Sequence, residues 1–388
     1  MSAPVVSWNE RLRSVAAAAP WRLAATVALA LLAAVSLLSA VAGGLLRAGV
    51  GWTWLQDTPV IAQAAGVHAA LMLSGFLGMV IAVERAVAVR LRWAFASPVA
   101  AGLGSVALLS GQFSLGAALG VVAAGVSVAV HGVVLQRQRA PHTMLLLVAA
   151  CAWLVGNLSF ATGHTTADAL PWWFTLPVLT IAAERLELTR LTPRHAVAVP
   201  LLWVIVGVLL AGAALSPFSD LGGVLFGLAL VMLAVWLGVF DIARRTVFAQ
   251  GLPRYMAMCL LAGYAWLAVG GLAWVGMVLG ATGRDVALHA LGLGFIFSMV
   301  MGHAPVILPA LLRVKLRFGL WFYAPLLVLH ASLLLRLLGG PAWPSLQSTG
   351  AVWNAGALGL FAVTVFFSAA LRHRLGRAEG PAAKRPVQ

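Results

Sequence analysis

The sequence predicts an all-α polytopic membrane protein of twelve transmembrane helices, on three observations: its composition, the spacing of its apolar windows and the placement of its basic residues. Of 388 residues, 62% are hydrophobic and only 9% are charged. With a mean hydropathy of +1.00, this balance excludes a soluble globular domain. Windows of about 20 apolar residues, each long enough to cross the hydrocarbon layer, recur twelve times between polar or Gly/Pro breaks. If the amino terminus is cytoplasmic, all of the 25 Lys and Arg residues except Arg47, Arg284 and Arg336 fall on the cytoplasmic side, as the positive-inside rule requires. The net charge of +15 is then a topology signal with affinity for anionic lipid headgroups, and it calls for no nucleic-acid partner. The expected location is a bacterial inner (cytoplasmic) membrane, crossed many times, with both termini cytoplasmic.

In order along the chain, residues 1–21 form a cytoplasmic lead, 22–372 the transmembrane domain and 373–388 a cytoplasmic tail. The first span, 22–46, follows a polar start and is longer than a signal-peptide core, so it reads as a retained helix. The second, 63–90, opens with Gly66-Val-His68-Ala-Ala-Leu-Met72-Leu-Ser-Gly75 and closes on Glu84-Arg85. Spans three and four, 97–113 and 115–135, are divided only by Gly111-Gln-Phe-Ser114. The fifth is 143–163, and the sixth, 167–189, closes on Glu184-Arg185, one hundred residues after the matching pair. That faint repeat suggests spans two, six and ten as equivalent members of three four-helix units, with chance similarity between Arg-terminated helices as the rival reading. Spans seven to nine are 196–216, 219–241 and 254–280; the tenth, 285–311, carries His289 and His303. The eleventh, 318–338, contains His330, and the twelfth is 349–371. Cys151 and Cys259 lie within spans and form no Cys-x-x-Cys or Cys-x-x-Cys-His, so nothing supports a disulfide framework, an iron-sulfur cluster or covalently attached c-type haem. No segment outside the bilayer is large enough to do chemistry alone.

An ionisable ring inside a membrane is costly and is usually kept for function. Counting about 1.5 Å per residue from the span ends puts His68 and His289 both roughly 6 to 9 Å below the outer surface. At that shared depth they can face each other across the bundle. Glycines and alanines beside them, including Gly75 and Gly292, leave a shallow groove that admits a flat macrocycle, with an imidazole ligating iron from each side; close helix packing produces the same composition. Copper is the competing metal, with Met72 as a soft ligand and His330 as a further imidazole. His289 and His303 are fourteen positions apart, which on an α-helix puts them within roughly 40° of one face and about 21 Å apart. Pro305 is expected to bend the helix beside His303. In the inner half, Glu84, Arg85, Glu184 and Arg185 are placed to pair across spans two and six, and with His303 they offer a proton path from the cytoplasm. Plain interfacial salt bridges with snorkelling arginines account for the same residues. His131, His142, His195 and His373 fall at the cytoplasmic boundary, where a solvated histidine needs no special role.

Gly263-Tyr-Ala-Trp-Leu-Ala-Val-Gly-Gly271 followed by Ala287-Leu-His289-Ala-Leu-Gly-Leu-Gly294 resembles the paired signature of the NnrS family, twelve-helix bacterial membrane proteins carrying haem and copper and linked to nitric oxide stress. The stretch Val67-His68-Ala-Ala-Leu-Met72-Leu-Ser-Gly-Phe76 looks like that family's histidine-led second helix, with Ala70 and Leu71 where many members have another histidine and an acidic residue. The wider arrangement resembles the catalytic subunit of haem-copper oxidases, in which three four-helix arcs hold a haem between histidines of helices two and ten. The sixth and seventh spans here contain no histidine, so this resemblance implies a haem site without the oxidase's copper partner. Together the resemblances imply a b-type haem between His68 and His289, with a role in nitrosative stress or membrane electron transfer and with nitric oxide, a quinone or another redox donor as partner. They do not establish turnover. The alternative is a transporter or channel for an ion, metal or small solute, lined by buried histidines and Glu-Arg pairs and interrupted at Pro177 and at Pro305 and Pro309.

Overall fold

The computed structural model describes residues 20–188, 196–281, 283–312 and 316–378, which form helices and connecting turns and no strands. In chain order the long helices are α1 (Pro20–Arg47), α2 (59–89), α3 (Ala96–Leu109), α4 (Phe113–Arg137), α5 (Pro141–Ala161), α6 (Thr166–Leu188), α7 (Ala198–Leu215), α8 (Asp220–Phe240), α9 (Leu252–Val278), α10 (284–312), α11 (323–339) and α12 (Pro344–Ala378). Among the described residues, eleven helices are long and apolar enough to cross a membrane, which makes this a multi-pass helical membrane protein. Their outward faces expose Leu31, Leu38, Val235, Leu327 and Phe366, a surface suited to lipid chains rather than water.

The helix outside those eleven is α6. It carries Asp168, Glu184, Arg185 and Glu187 and two internal prolines, and it is buried along most of its length from Ala169 to Leu186. Its place explains the charges: α6 contacts α5, α2, α8 and α10 at the centre of the bundle, where protein replaces lipid as its solvent. The turn between α3 and α4 lies within Ser110 to Gln112, where Gly111 takes φ +79°, a left-handed conformation that suits glycine.

Regular α geometry fails at three places. The backbone is π-helical over Ala70–Leu77 in α2, Ala290–Phe297 in α10 and Leu335–Gly339 in α11. Single π turns inside α-helices concentrate at functional sites, because the wider i→i+5 turn re-aims the flanking side chains. The first is braced by a polar chain unusual for apolar surroundings: Trp153 Nε1 donates to Ser74 Oγ at 2.9 Å, and Ser74 donates to Asn157 Oδ1 at 2.8 Å. Interhelical hydrogen bonds of this kind each contribute about 1 kcal/mol in a membrane.

Two expectations are corrected here. His131 and His142 are not solvated boundary residues: they are 1% and 4% exposed, within α4 and at the start of α5. The helices run on past the apolar windows, and burial against their neighbours hides the rings. His195 and the side chain of His373 lie outside the described residues. The shared face of His289 and His303 is the second correction. The π turns over Ala290–Phe297 hold more residues per turn than an α-helix, so a constant angle per residue does not carry across them.

Candidate cofactor site

His68 and His289 face each other between α2 and α10, with ring centroids 6.3 Å apart and planes inclined by 30°. Eight residues further along each helix, Phe76 and Phe297 stack in the same way, with centroids 6.2 Å apart and planes inclined by 8°. Each histidine stands just before a π segment and each phenylalanine lies within one, so the two helices present matched faces to one another.

The hydrogen bonds fix the tautomer of both rings. His68 Nδ1 donates to the Ala40 carbonyl of α1 at 2.7 Å. His289 Nδ1 lies 3.1 Å from the Asp285 carbonyl and 3.0 Å from Asp285 Oδ1. A carbonyl or carboxylate oxygen can only accept, so Nδ1 carries the hydrogen in each ring and Nε2 keeps a lone pair. A ring nitrogen donating to a carbonyl or carboxylate while the other is left basic is the usual supporting arrangement behind a metal-ligating histidine. Gly44 makes room for it: a β-carbon there would stand 2.8 Å from His68 Cε1.

Asp285 is itself clamped. Arg336 donates to it through Nε at 2.9 Å and Nη2 at 2.6 Å, a bidentate pair of the strong kind. Arg336 Nη2 also lies 3.4 and 3.3 Å from the two nitrogens of His289. Since Nδ1 carries the hydrogen, the contact open to the guanidinium is donation to Nε2, so in this structure the His289 lone pair is engaged by Arg336. The third π segment contains Arg336, so each π segment described adjoins or carries a residue of this site.

Two cavities meet at the histidines. The one toward the predicted inner side is lined mainly by aliphatic groups, with Met72, Gly292, Phe174 and Phe297 on its walls. Nothing stands within 4 Å of a β-carbon built at Gly292. Toward the predicted outer side lies a second space, whose lining includes Arg47, Arg284 and Arg336. These are the three basic residues that the charge pattern leaves outside. The result is an apolar well beneath a cationic mouth, with two imidazole lone pairs at the junction.

The remaining expected site residues lie elsewhere. Gly75 does not line the well: it faces α3, where Ser105 occupies the space of a β-carbon, because the π turn shifts it off the face of His68. His330 accepts from the Trp266 indole N–H at Nδ1, 2.9 Å away. In the neutral ring its proton then sits on Nε2, and no lone pair is left for a metal. Among the described residues no group of three or more His, Cys, Asp or Glu is placed to hold a metal ion, and Met72 has no such partners besides the facing pair. Arg85 bridges Glu84 and Glu184 through Nη2, at 2.9 and 2.7 Å, the cross-helix ion pair expected of α2 and α6. His303 joins that inner cluster.

Asp285, Arg336, Arg47 and Arg284 were not singled out from sequence. The available signal was that all three arginines break the charge asymmetry, and that Asp285 stands one turn before His289.

A family model described as "Domain of unknown function (DUF8744)" matches residues 22–370. No curated protein and no solved structure matches the chain.

Proposed function

The chain belongs to the DUF8744 family, and from this site we propose that it is an integral membrane b-type haem protein of the cytoplasmic membrane, serving electron transfer or the response to nitric oxide. The observation that carries the reading is the His68 and His289 pair. Their ring centres stand 6.3 Å apart between α2 and α10, and these two imidazoles would hold the iron of a haem bound there. The donor set fits an amphipathic macrocycle in three respects: two imidazoles supported at Nδ1, whose Nε2 atoms would ligate the iron once Arg336 releases that of His289, an apolar well below them, and Arg47, Arg284 and Arg336 above to meet carboxylates. When bound, the iron supplies a one-electron redox centre. The residues of this chain hold it and tune it: Ala40 and Asp285 fix the ring orientations, and Arg336 keeps Asp285 ionised against His289. With two imidazoles as ligands electron transfer to or from a quinone or other donor is favoured; the link to nitric oxide stems from the resemblance of α9 and α10 to the NnrS signature. In this reading α6 is the twelfth span, α2, α6 and α10 are the equivalent helices of three four-helix arcs, and both termini are cytoplasmic.

The arginine-lined mouth also favours a second reading, a transporter that admits a small anion from the outer side. One measurement separates the two. The reduced-minus-oxidised visible spectrum of the purified protein is expected to show a Soret and a sharp alpha band, lost in His68→Ala and in His289→Ala and kept in His131→Ala. Full haem content in both ligand variants overturns the assignment, and a colourless protein that carries anions into liposomes supports the second reading.

A further inference from the structure

A second buried polar group lies at the other end of the bundle, apart from the paired imidazoles. Glu84 and Arg85 come from α2, Glu184 and Arg185 from α6, Asp241 from the end of α8, Tyr264 from α9 and His303 from α10. Arg85 holds both glutamates as described. Arg185 Nη1 stands 4.0 Å from Asp241 Oδ2, and the Tyr264 hydroxyl donates to the same oxygen. His303 lies within electrostatic reach of Glu84, Arg185 and Asp241. Behind Arg85 is His131 of α4, and Glu187 points outward to His142.

This group is incomplete in two ways. Among the described residues seven buried side-chain polar atoms have no hydrogen-bond partner, and four of them are here: Arg85 Nε, Arg185 Nε, Asp241 Oδ1 and His303 Nε2. Asp241 is 2% and Arg185 4% exposed, so bulk water does not satisfy them. Buried polar atoms left open in this way are ordinarily met by trapped water or a bound ion. Among the described residues of the group the charge is also uneven, since the carboxylates of Glu84, Glu184 and Asp241 stand with the guanidinium groups of Arg85 and Arg185. One uncompensated charge inside a membrane is expensive.

The tautomer of His303 says where a balancing charge can sit. Its Nδ1 donates to the Met299 carbonyl at 2.7 Å, which leaves Nε2 of the neutral ring with the lone pair, buried and without a partner; Glu84 and Asp241 favour a proton there, while burial and Arg185 oppose it. We propose that this cluster is a proton-binding site: one exchangeable proton, reached through trapped water, resides on His303 Nε2 and brings the cluster to neutrality. Glu84 and Asp241 stabilise the imidazolium, while Arg85 and Arg185 keep the carboxylates in place. The site is separate from the His68 and His289 pair and does not depend on a cofactor there.

The test uses full-length protein labelled with nitrogen-15 histidine in lipid vesicles, read by solid-state magnetic resonance, with His303→Gln to assign the signals. Nδ1 is expected to stay protonated throughout, while Nε2 passes from lone pair to protonated as pH falls, with the slope of a single proton. In Glu84→Gln, and separately in Asp241→Asn, the passage should require about tenfold or more higher proton concentration, since one stabilising negative charge is gone. Either variant suffices if the other fails to fold. An Nε2 held in one state between about pH 4 and pH 10, or a midpoint unmoved in a folded variant, overturns the proposal. A midpoint that follows sodium or potassium concentration assigns the site to a metal cation and overturns it as well.

Discussion

At the scale of single residues the site is a chain of dependence: Arg336 fixes Asp285, Asp285 fixes His289, and Ala40 with Gly44 fixes His68. Supporting groups of this type typically contribute 10- to 100-fold in metal affinity. Asp285→Ala is therefore expected to weaken haem binding by that amount in a haem titration while leaving the band shape of the saturated protein. Arg336→Gln leaves a partly buried carboxylate without its cation and should cost on the order of 3 kcal/mol, read as a lower thermal midpoint of the purified protein. His330→Asn should keep the full spectrum, because its lone pair is committed to Trp266; loss of haem from that variant would restore His330 as a ligand. The sequence marked His68 and His289 through depth alone, since position along a span is legible in one dimension. Asp285, Arg336 and Arg47 were not legible as a set, because they come from α10, α11 and α1 and meet only in three dimensions.

At the scale of the helix, the π segments decide which side chains share a face. Gly75 illustrates it: counted as an α-helix it belongs with His68, and the wider turn delivers it to Ser105 of α3. Hydropathy carries no mark of a π turn, so the helix was predicted and its phase was not. Deleting one residue within 290–297 lets the backbone return toward i→i+4 pairing and turns His289 away from His68. The expected outcome is loss of the haem spectrum with helical circular dichroism unchanged; a variant that keeps its spectrum would show that the phase at these segments is irrelevant to the site.

At the scale of the whole molecule, the apolar windows made a multi-pass helical membrane protein legible in the sequence. The predicted spans and the observed helices agree to within a few residues at most ends, and Gly111 indeed separates α3 from α4. The central helix α6, expected as the sixth span, is among the described residues the one long helix outside the eleven apolar enough to cross a membrane, since its burial permits charges that lipid exposure forbids. The same basic-residue pattern yields a topology test: alkaline phosphatase fused after Gly49 or Gly280 should be active outside the cell, and a fluorescent protein at the carboxyl terminus should glow inside. The opposite result reverses the orientation and puts the arginine-lined mouth on the cytoplasmic side.

The stacked pair Phe76 and Phe297 stands at the lower end of the apolar well, below the histidines, while the arginines surround its upper end. In the proposed orientation, the arginine-lined entrance opens away from the cytoplasm, and an occupant arriving by it comes from the far side of the membrane after the chain has been inserted; a small impermeant thiol reagent should then reach Met72→Cys in intact cells before an occupant is supplied and not afterwards.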